Sequence, residues 1–393
     1  MPGSDASSHR NSLEIKKLAY EMGFDLAGVT TPDPPEHLDV YQNWIANGLH
    51  AGMAYLASER AIQRRNNPRL ILEGCRSILV LGKRYFLETS NDASSDQALI
   101  AGYAIGQDYH DVLIERMQRL MEQIQSTLGI QIAHRIYTDT GPLLEREFAQ
   151  RAGLGWIGKN TCLIHPQLGS ALLLGEILLD LDLAPDPPFL ADRCGTCQRC
   201  IEACPTQCIR PDRTIDANRC IAFLTIENKG EIPVGIRPQI GAWTFGCDVC
   251  QQVCPWNQRF NQPCHDPAFQ ARPFLDPPHL QTFLKLQEAE YKAKLQGSPL
   301  KRSKRHGLLR NAAVAAGNNR DPRLIPLLRR LLESDDEPLV RAHAAWALGH
   351  CHHPEAHAAL VDARMREADS KVRGEISRAL FESAKPPRKT RGG

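Results

Sequence analysis

No run of the 393 residues is apolar enough to span a bilayer. The nearest candidate, 171–183, is interrupted by Glu176, Asp180 and Asp182. Residues 1–12 are polar and lack the apolar segment of a secretory leader. A strong overall charge is missing too, since 47 Lys and Arg stand against 45 Asp and Glu. These absences argue against a membrane-spanning chain, a secreted disulfide scaffold and a charge-expanded disordered one. A cytoplasmic globular protein of two or three domains is expected, with no membrane partner. Cysteine, by contrast, is plentiful at 13 residues, and its spacing is not random.

The chain is organised around residues 194–254. The stretch opens as Cys194-x-x-Cys197-x-x-Cys200-x-x-x-Cys204-Pro205 and closes as Cys247-x-x-Cys250-x-x-x-Cys254-Pro255, with Cys220 alone between. The first run has the bacterial ferredoxin spacing, in which the fourth cysteine ligates the other cluster of a pair. The second run has Thr244 where a leading cysteine is expected, and Cys220 supplies the missing thiolate. Two crossed sets follow: Cys194, Cys197, Cys200 with Cys254, and Cys220, Cys247, Cys250 with Cys204. Two 4Fe–4S clusters are therefore expected. Paired C-x-x-C can also bind zinc, but zinc needs neither a third cysteine at the same short gap nor the repeated Cys-Pro ending. Cys208 is a ninth cysteine in the span and is read as packing.

Before this stretch, apolar periodicity predicts a helix over 13–22, a short strand at 25–30, a buried strand at 77–86, a long amphipathic helix from Asp108 to Gly129, and strands at 132–138 and 172–181. Strands interleaved with helices imply a layered α+β domain. The strand at 132–138 runs into Tyr137-Thr-Asp139-Thr-Gly-Pro142. Pro142 suits a first helical position, and Asp139 lies just upstream. The residues alone support two readings of Asp139: a carboxylate compensating a helix dipole, or a proton donor at a strand end. Gly153-Leu-Gly155-Trp-Ile-Gly158-Lys159-Asn160 matches a dinucleotide fingerprint by spacing. It has a helix rather than a strand in front, and Asn160 replaces a P-loop Ser/Thr, so both nucleotide readings fail. Its glycines are expected to let backbone approach a large flat ligand.

Beyond Pro277 and Pro278 comes an internal repeat. Leu309-Arg310-Asn311, Val340-Arg341-Ala342 and Val372-Arg373-Gly374 recur at intervals of 31 and 32 residues, which implies stacked helix pairs of HEAT type. Residues 301–393 hold 19 Lys and Arg against 11 Asp and Glu, whereas residues 1–300 hold 28 against 34. A basic C-terminal segment with Lys301-Arg302-Ser-Lys304-Arg305 at its entrance suits a polyanion. A solvated face on a protein-docking platform has the same composition.

In combination, Met53-Ala-Tyr-Leu56, Asp108-Tyr-His110, Tyr137-Thr-Asp-Thr-Gly-Pro142, Gly155-Trp-Ile-Gly-Lys-Asn-Thr161, the split cysteine array and the Arg310-Asn311 repeat start resemble the epoxyqueuosine reductase family. The resemblance covers about residues 13–382. It implies an N-terminal corrin-binding α/β domain at 1–185 related to reductive dehalogenases, a ferredoxin-like two-cluster domain at 186–280 and HEAT-like tRNA-binding repeats at 281–393. It implies cobalamin, held base-off because no Asp-x-His-x-x-Gly motif supplies an axial histidine. Asp139 becomes the proton donor, kept protonated by burial against the corrin. The corrin contacts it suggests are Tyr103, Asp139, Trp156, Gly158, Lys159, Asn160 and Ser170. The tRNA anticodon stem-loop would meet Lys301, Arg302, Lys304, Arg305, Arg310 and Asn311. An external electron donor and a monomeric state are expected. The competing reading is a corrinoid, iron–sulfur reductase of a small molecule such as an organohalide.

Overall fold

The structure is a computed structural model that describes residues 2–85 and 96–385, with the side chains of 2–5 left aside. Eight strands are described: β1 (Leu26–Thr30), β2 (Ser77–Arg84), β3 (Leu99–Ile100), β4 (His134–Tyr137), β5 (Trp156–Ile157), β6 (Leu163–Ile164), β7 (Leu172–Leu179) and β8 (Trp243–Phe245). β2 stops short of Phe86, which lies outside the described residues. Contacts divide the chain into two compact units. One comprises residues 1–89, 106–218 and 248–270; the other comprises 90–105, 219–247 and 271–393. The cysteine stretch thus has residues in both units.

The first unit is built on a sheet of order β1-β2-β7-β4, antiparallel throughout. Alternation sends Ile78, Val80 and Leu178 to one face, where they meet Phe148 and Ala149 of the short helix Glu145–Arg151. On the other face, Gly175 leaves room for Met117 of the helix Tyr109–Leu128; a Cβ there would stand 2.8 Å from the Met117 sulfur. Asp108 caps this helix, its carboxylate accepting from His110 N, and Gly129 ends it with φ 67°. The helix expected from Pro142 instead begins at Glu145.

The second unit carries the repeats. Inner helices Lys304–Asn319, Pro338–Cys351 and Ser370–Ser383 alternate with outer helices Ile325–Ser334 and Pro354–Arg366. Close stacking needs small residues at the repeat period. A Cβ on Gly317 would come within 2.7 Å of Ala347 Cα, and one on Gly349 within 2.8 Å of Ala379 Cα. The recurring arginine closes the carbonyl end of the segment before it. Arg341 donates to Asp335 O and Asp336 O, and Arg373 to Glu367 O and Ala368 O.

Candidate active site

Asp139 follows β4 directly. Thr138, 1% exposed, donates its hydroxyl to Leu174 O in β7 and fixes the strand end. Thr140 N then donates back to Thr138 O at 2.6 Å, closing a three-residue turn with Asp139 at its centre and φ 57°. A non-glycine residue in that conformation is strained, and such strain is concentrated at functional sites. The turn holds the carboxylate outward, 64% exposed. Its Oδ2 accepts from Tyr109 Oη at 2.9 Å and lies 3.4 Å from His110 Nε2.

His110 is held on both sides. Its Nδ1 is 2.8 Å from Asp108 Oδ1, and its ring stacks on Tyr109 at 4.0 Å. Burial opposes its charge, but the bonds to Asp108 and Asp139 and their negative charges raise its pKa to about 9. At neutral pH the imidazole is therefore protonated. For Asp139 burial pushes upward, yet the bonds from His110 and Tyr109 and the charges of His110 and Arg146 outweigh it, so its pKa is lowered. In the protein by itself these cationic and hydrogen-bonding neighbours hold the carboxyl ionised; the expectation was of a carboxyl buried against the corrin. In this geometry the proton resides on His110.

Beneath the turn lies a pair of carboxyls. Glu176 points from β7 toward the helix Glu145–Arg151, is 0% exposed, and among the described residues its oxygens have no hydrogen-bond partner other than Glu145. Burial raises Glu145 to about 8, helped by Asp139, and raises Glu176 well above the ordinary value, helped by Glu145. The pair is neutral at pH 7. Sequence reading missed this role of Glu176, although a lone acid inside an apolar strand is a usable signal.

The thiols of the first cysteine set, all in the first unit, act on one another electrostatically. Burial raises the Cys200 and Cys254 thiols; Cys194 raises both further, as do Cys254 for Cys200 and Cys197 for each. Thiols that raise one another in this way ionise together only around a cationic core, which is what an iron–sulfur cube would provide. Trp156 Nε1 donates to Cys194 Sγ at 3.4 Å, and Trp156, Ile164, Phe189 and Trp256 wall the site with apolar surface. In the second set, Cys204 is lowered to about 5, first by the Cys208 thiol at 3.4 Å and against burial. Cys204 and Cys250 belong to the first unit; Cys220 and Cys247 belong to the second. Cys220 caps the helix Ile221–Ile226, and Gly246 N, next to Cys247, donates to Thr225 Oγ1 of that helix.

Several residues expected at the corrin are engaged elsewhere. Trp156 faces Cys194, and Lys159 Nζ donates to Gly195 O and Cys197 O, so both brace the cysteine loop. Ser170 is buried, its hydroxyl donating to Gln251 Oε1 and accepting from Asn257 Nδ2. The glycines of this stretch make room for protein rather than ligand: a Cβ on Gly155 would meet Ile164 O at 2.2 Å, and one on Gly158 would meet Ile164 Cδ1 at 2.5 Å. Tyr103 sits 6.4 Å from Phe245 in the second unit. Asn160 does fit a ligand. It is 2% exposed, and its Nδ2 has no acceptor among the described residues, so a bound group offering a carbonyl oxygen would satisfy it.

Of the six expected RNA contacts, two are internal. Arg310 and Asn311 are 0% exposed. Arg310 donates to Leu224 O, Asn228 O and Gly230 O, and Asn311 to Thr225 O and Thr244 O. Arg310 therefore does at the Cys220 helix what Arg341 and Arg373 do in later repeats, and no phosphate reaches it. Burial, then Arg237, lowers it to about 10. Arg305 pairs with Asp335 at 2.7 Å, and Arg302 with Glu227 at 2.7 Å. Lys301, Arg302 and Lys304 are exposed.

Comparison with known proteins agrees with this arrangement. Residues 65–140 match the epoxyqueuosine reductase QueG family description, 193–257 a 4Fe-4S double cluster binding domain, and 300–380 HEAT repeats. An epoxyqueuosine reductase from Xanthomonas campestris is 41% identical over 342 residues, spanning 86% of this chain and 95% of that protein. The chain belongs to the epoxyqueuosine reductase family. It is accordingly an oxidoreductase with a double-cluster 4Fe–4S domain. A Pseudomonas aeruginosa epoxyqueuosine reductase is 38% identical over 86% of this chain and 94% of its own length. A crystal structure of epoxyqueuosine reductase with an epoxyqueuosine-modified tRNA-Tyr stem loop matches with TM-score 0.87 and 30% identity, covering 95% of this chain and 99% of that one. Among the described residues no helix is long and apolar enough to cross a membrane.

Proposed function

We propose that this protein reduces epoxyqueuosine to queuosine at the wobble position of tRNA, in the cytoplasm, removing the epoxide oxygen as water. Two electrons and two protons are consumed. The observation that supports this most directly is the Asp139 turn, whose strained backbone presents a carboxylate bonded to a protonated His110. Cobalamin, when bound, supplies electrons to the substrate carbon. Asn160, through its unpartnered amide, would hold it and Asp139 would face it, with Tyr103 a further proposed contact.

The chain's own work is proton delivery. Asp139 Oδ2 takes a proton from His110 Nε2 and passes it to the epoxide oxygen as the C–O bond breaks, Tyr109 Oη keeps the carboxylate aimed, and the second proton, drawn from solvent through the same pair, lets the oxygen leave as water. A base in an anticodon loop can be splayed into a pocket, which a base inside a duplex cannot. Lys301, Arg302 and Lys304 take the stem phosphates. The test is anaerobic incubation of cluster- and cobalamin-loaded protein with epoxyqueuosine-containing tRNA, followed by digestion and mass analysis. A nucleoside lighter by one oxygen is expected; unchanged epoxide under reducing conditions would refute the assignment.

A further inference from the structure

Each turnover needs electrons from outside, and the rim of the first cysteine set has the features of an entry point. Cys194, Cys197 and Cys200 are half-buried, while Gly195, Thr196 and Gln198 between them are exposed. Arg193, Arg199 and Arg259 surround this loop, all exposed. Each is tied to the same patch. The Arg193 guanidinium lies 5.4 Å from the Phe189 ring and 6.0 Å from Trp256, and that of Arg259 lies 5.1 Å from Phe260, which stacks on Trp256 at 5.7 Å. Arg199 donates to Gln258 Oε1 at 3.4 Å, beside Arg259.

None of the three arginines pairs with a carboxylate among the described residues. Asp192, the acid next to Arg193, pairs with Arg213, leaving Glu202 as an exposed acid on the short helix Arg199–Glu202. Beside the arginines Leu190 is 85% exposed, an unusual state for a leucine flanked by a half-buried Phe189. Behind them an aromatic path runs inward. Trp256 meets Trp156 edge-on at 4.9 Å, and Trp156 donates to Cys194 Sγ.

We infer that Phe189, Leu190, Arg193, Arg199, Trp256 and Arg259 form the docking surface for a small one-electron carrier protein with an acidic face. This deepens the proposed function by naming how its electrons arrive. Unpaired arginines attract an acidic partner and speed its encounter, and the apolar centre lets the two surfaces close without water. The electron passes singly: the carrier is oxidised by one electron, the cluster held by Cys194, Cys197, Cys200 and Cys254 is reduced by one, and two such encounters serve one epoxide. A nucleic acid would also favour arginines. Three cationic side chains ringing the exposed loop of a redox group, with an apolar centre, fit an electron carrier better.

The test uses the cluster-loaded full chain and a reduced, acidic, flavin-bearing carrier protein. Stopped-flow bleaching of cluster absorbance reports electron entry without requiring turnover, so it stands even if the epoxyqueuosine assignment fails. Arg193→Glu/Arg199→Glu/Arg259→Glu should slow bleaching by the carrier about tenfold or more at low salt, and wild-type bleaching should itself slow with added salt. Bleaching and turnover with dithionite should stay at wild-type rates. Arg259→Glu alone, five residues from Cys254, should give part of the effect with full iron content. Carrier-driven bleaching unchanged in both variants would overturn the inference. So would equal slowing with dithionite in Arg259→Glu, or a loss of tRNA affinity in place of the kinetic effect.

Discussion

Asp139 Oδ2 and His110 Nε2 lie 3.4 Å apart, and the pKa shifts of the two residues run in opposite directions, His110 up to about 9 and Asp139 down. A raised histidine contributes stability that is complete below its unfolded value near 6.5 and is lost as pH rises through about 9. A lowered aspartate contributes above its unfolded value near 3.8 and loses that contribution as pH falls through the lower folded value. The charged pair is therefore intact across neutral pH. Asp139→Asn removes one of the two carboxylates holding the imidazole charged, so the His110 titration, followed by NMR, should move down toward its ordinary value. An unmoved titration would mean that Asp108 alone sets it.

Glu145 and Glu176 make the opposite pH contribution. Both are raised, so their unfolded forms ionise first, near 4.5. Stability from the neutral pair is complete below that value and is lost as pH rises through the folded range, about 8 for Glu145. Glu176→Gln replaces a neutral acid by a neutral amide and removes the high-pH penalty. Its melting temperature should exceed that of wild type at pH 8.5 and converge with it toward pH 5. Thermal unfolding monitored across that range checks this.

Arg310 and Lys301 should separate cleanly. Arg310→Ala strands the buried carbonyl of Leu224, costing about 1–3 kcal/mol, and removes the part-buried bonds to Asn228 O and Gly230 O. The melting temperature should fall, and iron retention should fall with it, because the loosened helix starts at Cys220. Lys301→Glu/Lys304→Glu should leave the melting temperature alone, weaken tRNA binding and flatten its log-affinity against log-salt slope by roughly 1 per lysine. Equal effects of the two variants on RNA affinity at full folding would contradict the distinction.

Gly317→Ala and Gly349→Ala test the solenoid. Each added methyl would stand within 2.7–2.8 Å of a neighbouring backbone Cα, so inner helices must move apart. Both variants should melt earlier than wild type, whereas Gly374→Ala, whose Cβ meets nothing within 4 Å, should not.

The most legible features in the sequence were those fixed by local spacing. The cysteine spacing carries the double-cluster match at 193–257, and the capped helix at Asp108 and the repeats follow from periodicity. Less legible was anything that depends on what a side chain meets across the fold. Arg310 reads as a surface cation, yet its repeat position points it at carbonyls of the Cys220 helix. Lys159 and Trp156 read as ligand contacts, yet the β5–β6 hairpin turns them to the cysteine loop. Asp139 reads as an acid to be buried against a corrin; in the protein by itself Tyr109 and His110, thirty and twenty-nine positions earlier, hold it ionised. Pro142 failed as a helix start because Gly141 folds against Tyr137, where a Cβ would come within 2.7 Å.

The most direct test of proton delivery from Asp139 is a single turnover of pre-reduced, cobalamin-loaded protein on epoxyqueuosine-containing tRNA, wild type beside Asp139→Asn. The variant should hold the same iron, the same corrin and the same tRNA affinity, yet form queuosine about 10²–10⁴-fold more slowly. Queuosine formed by Asp139→Asn at the wild-type rate would contradict it.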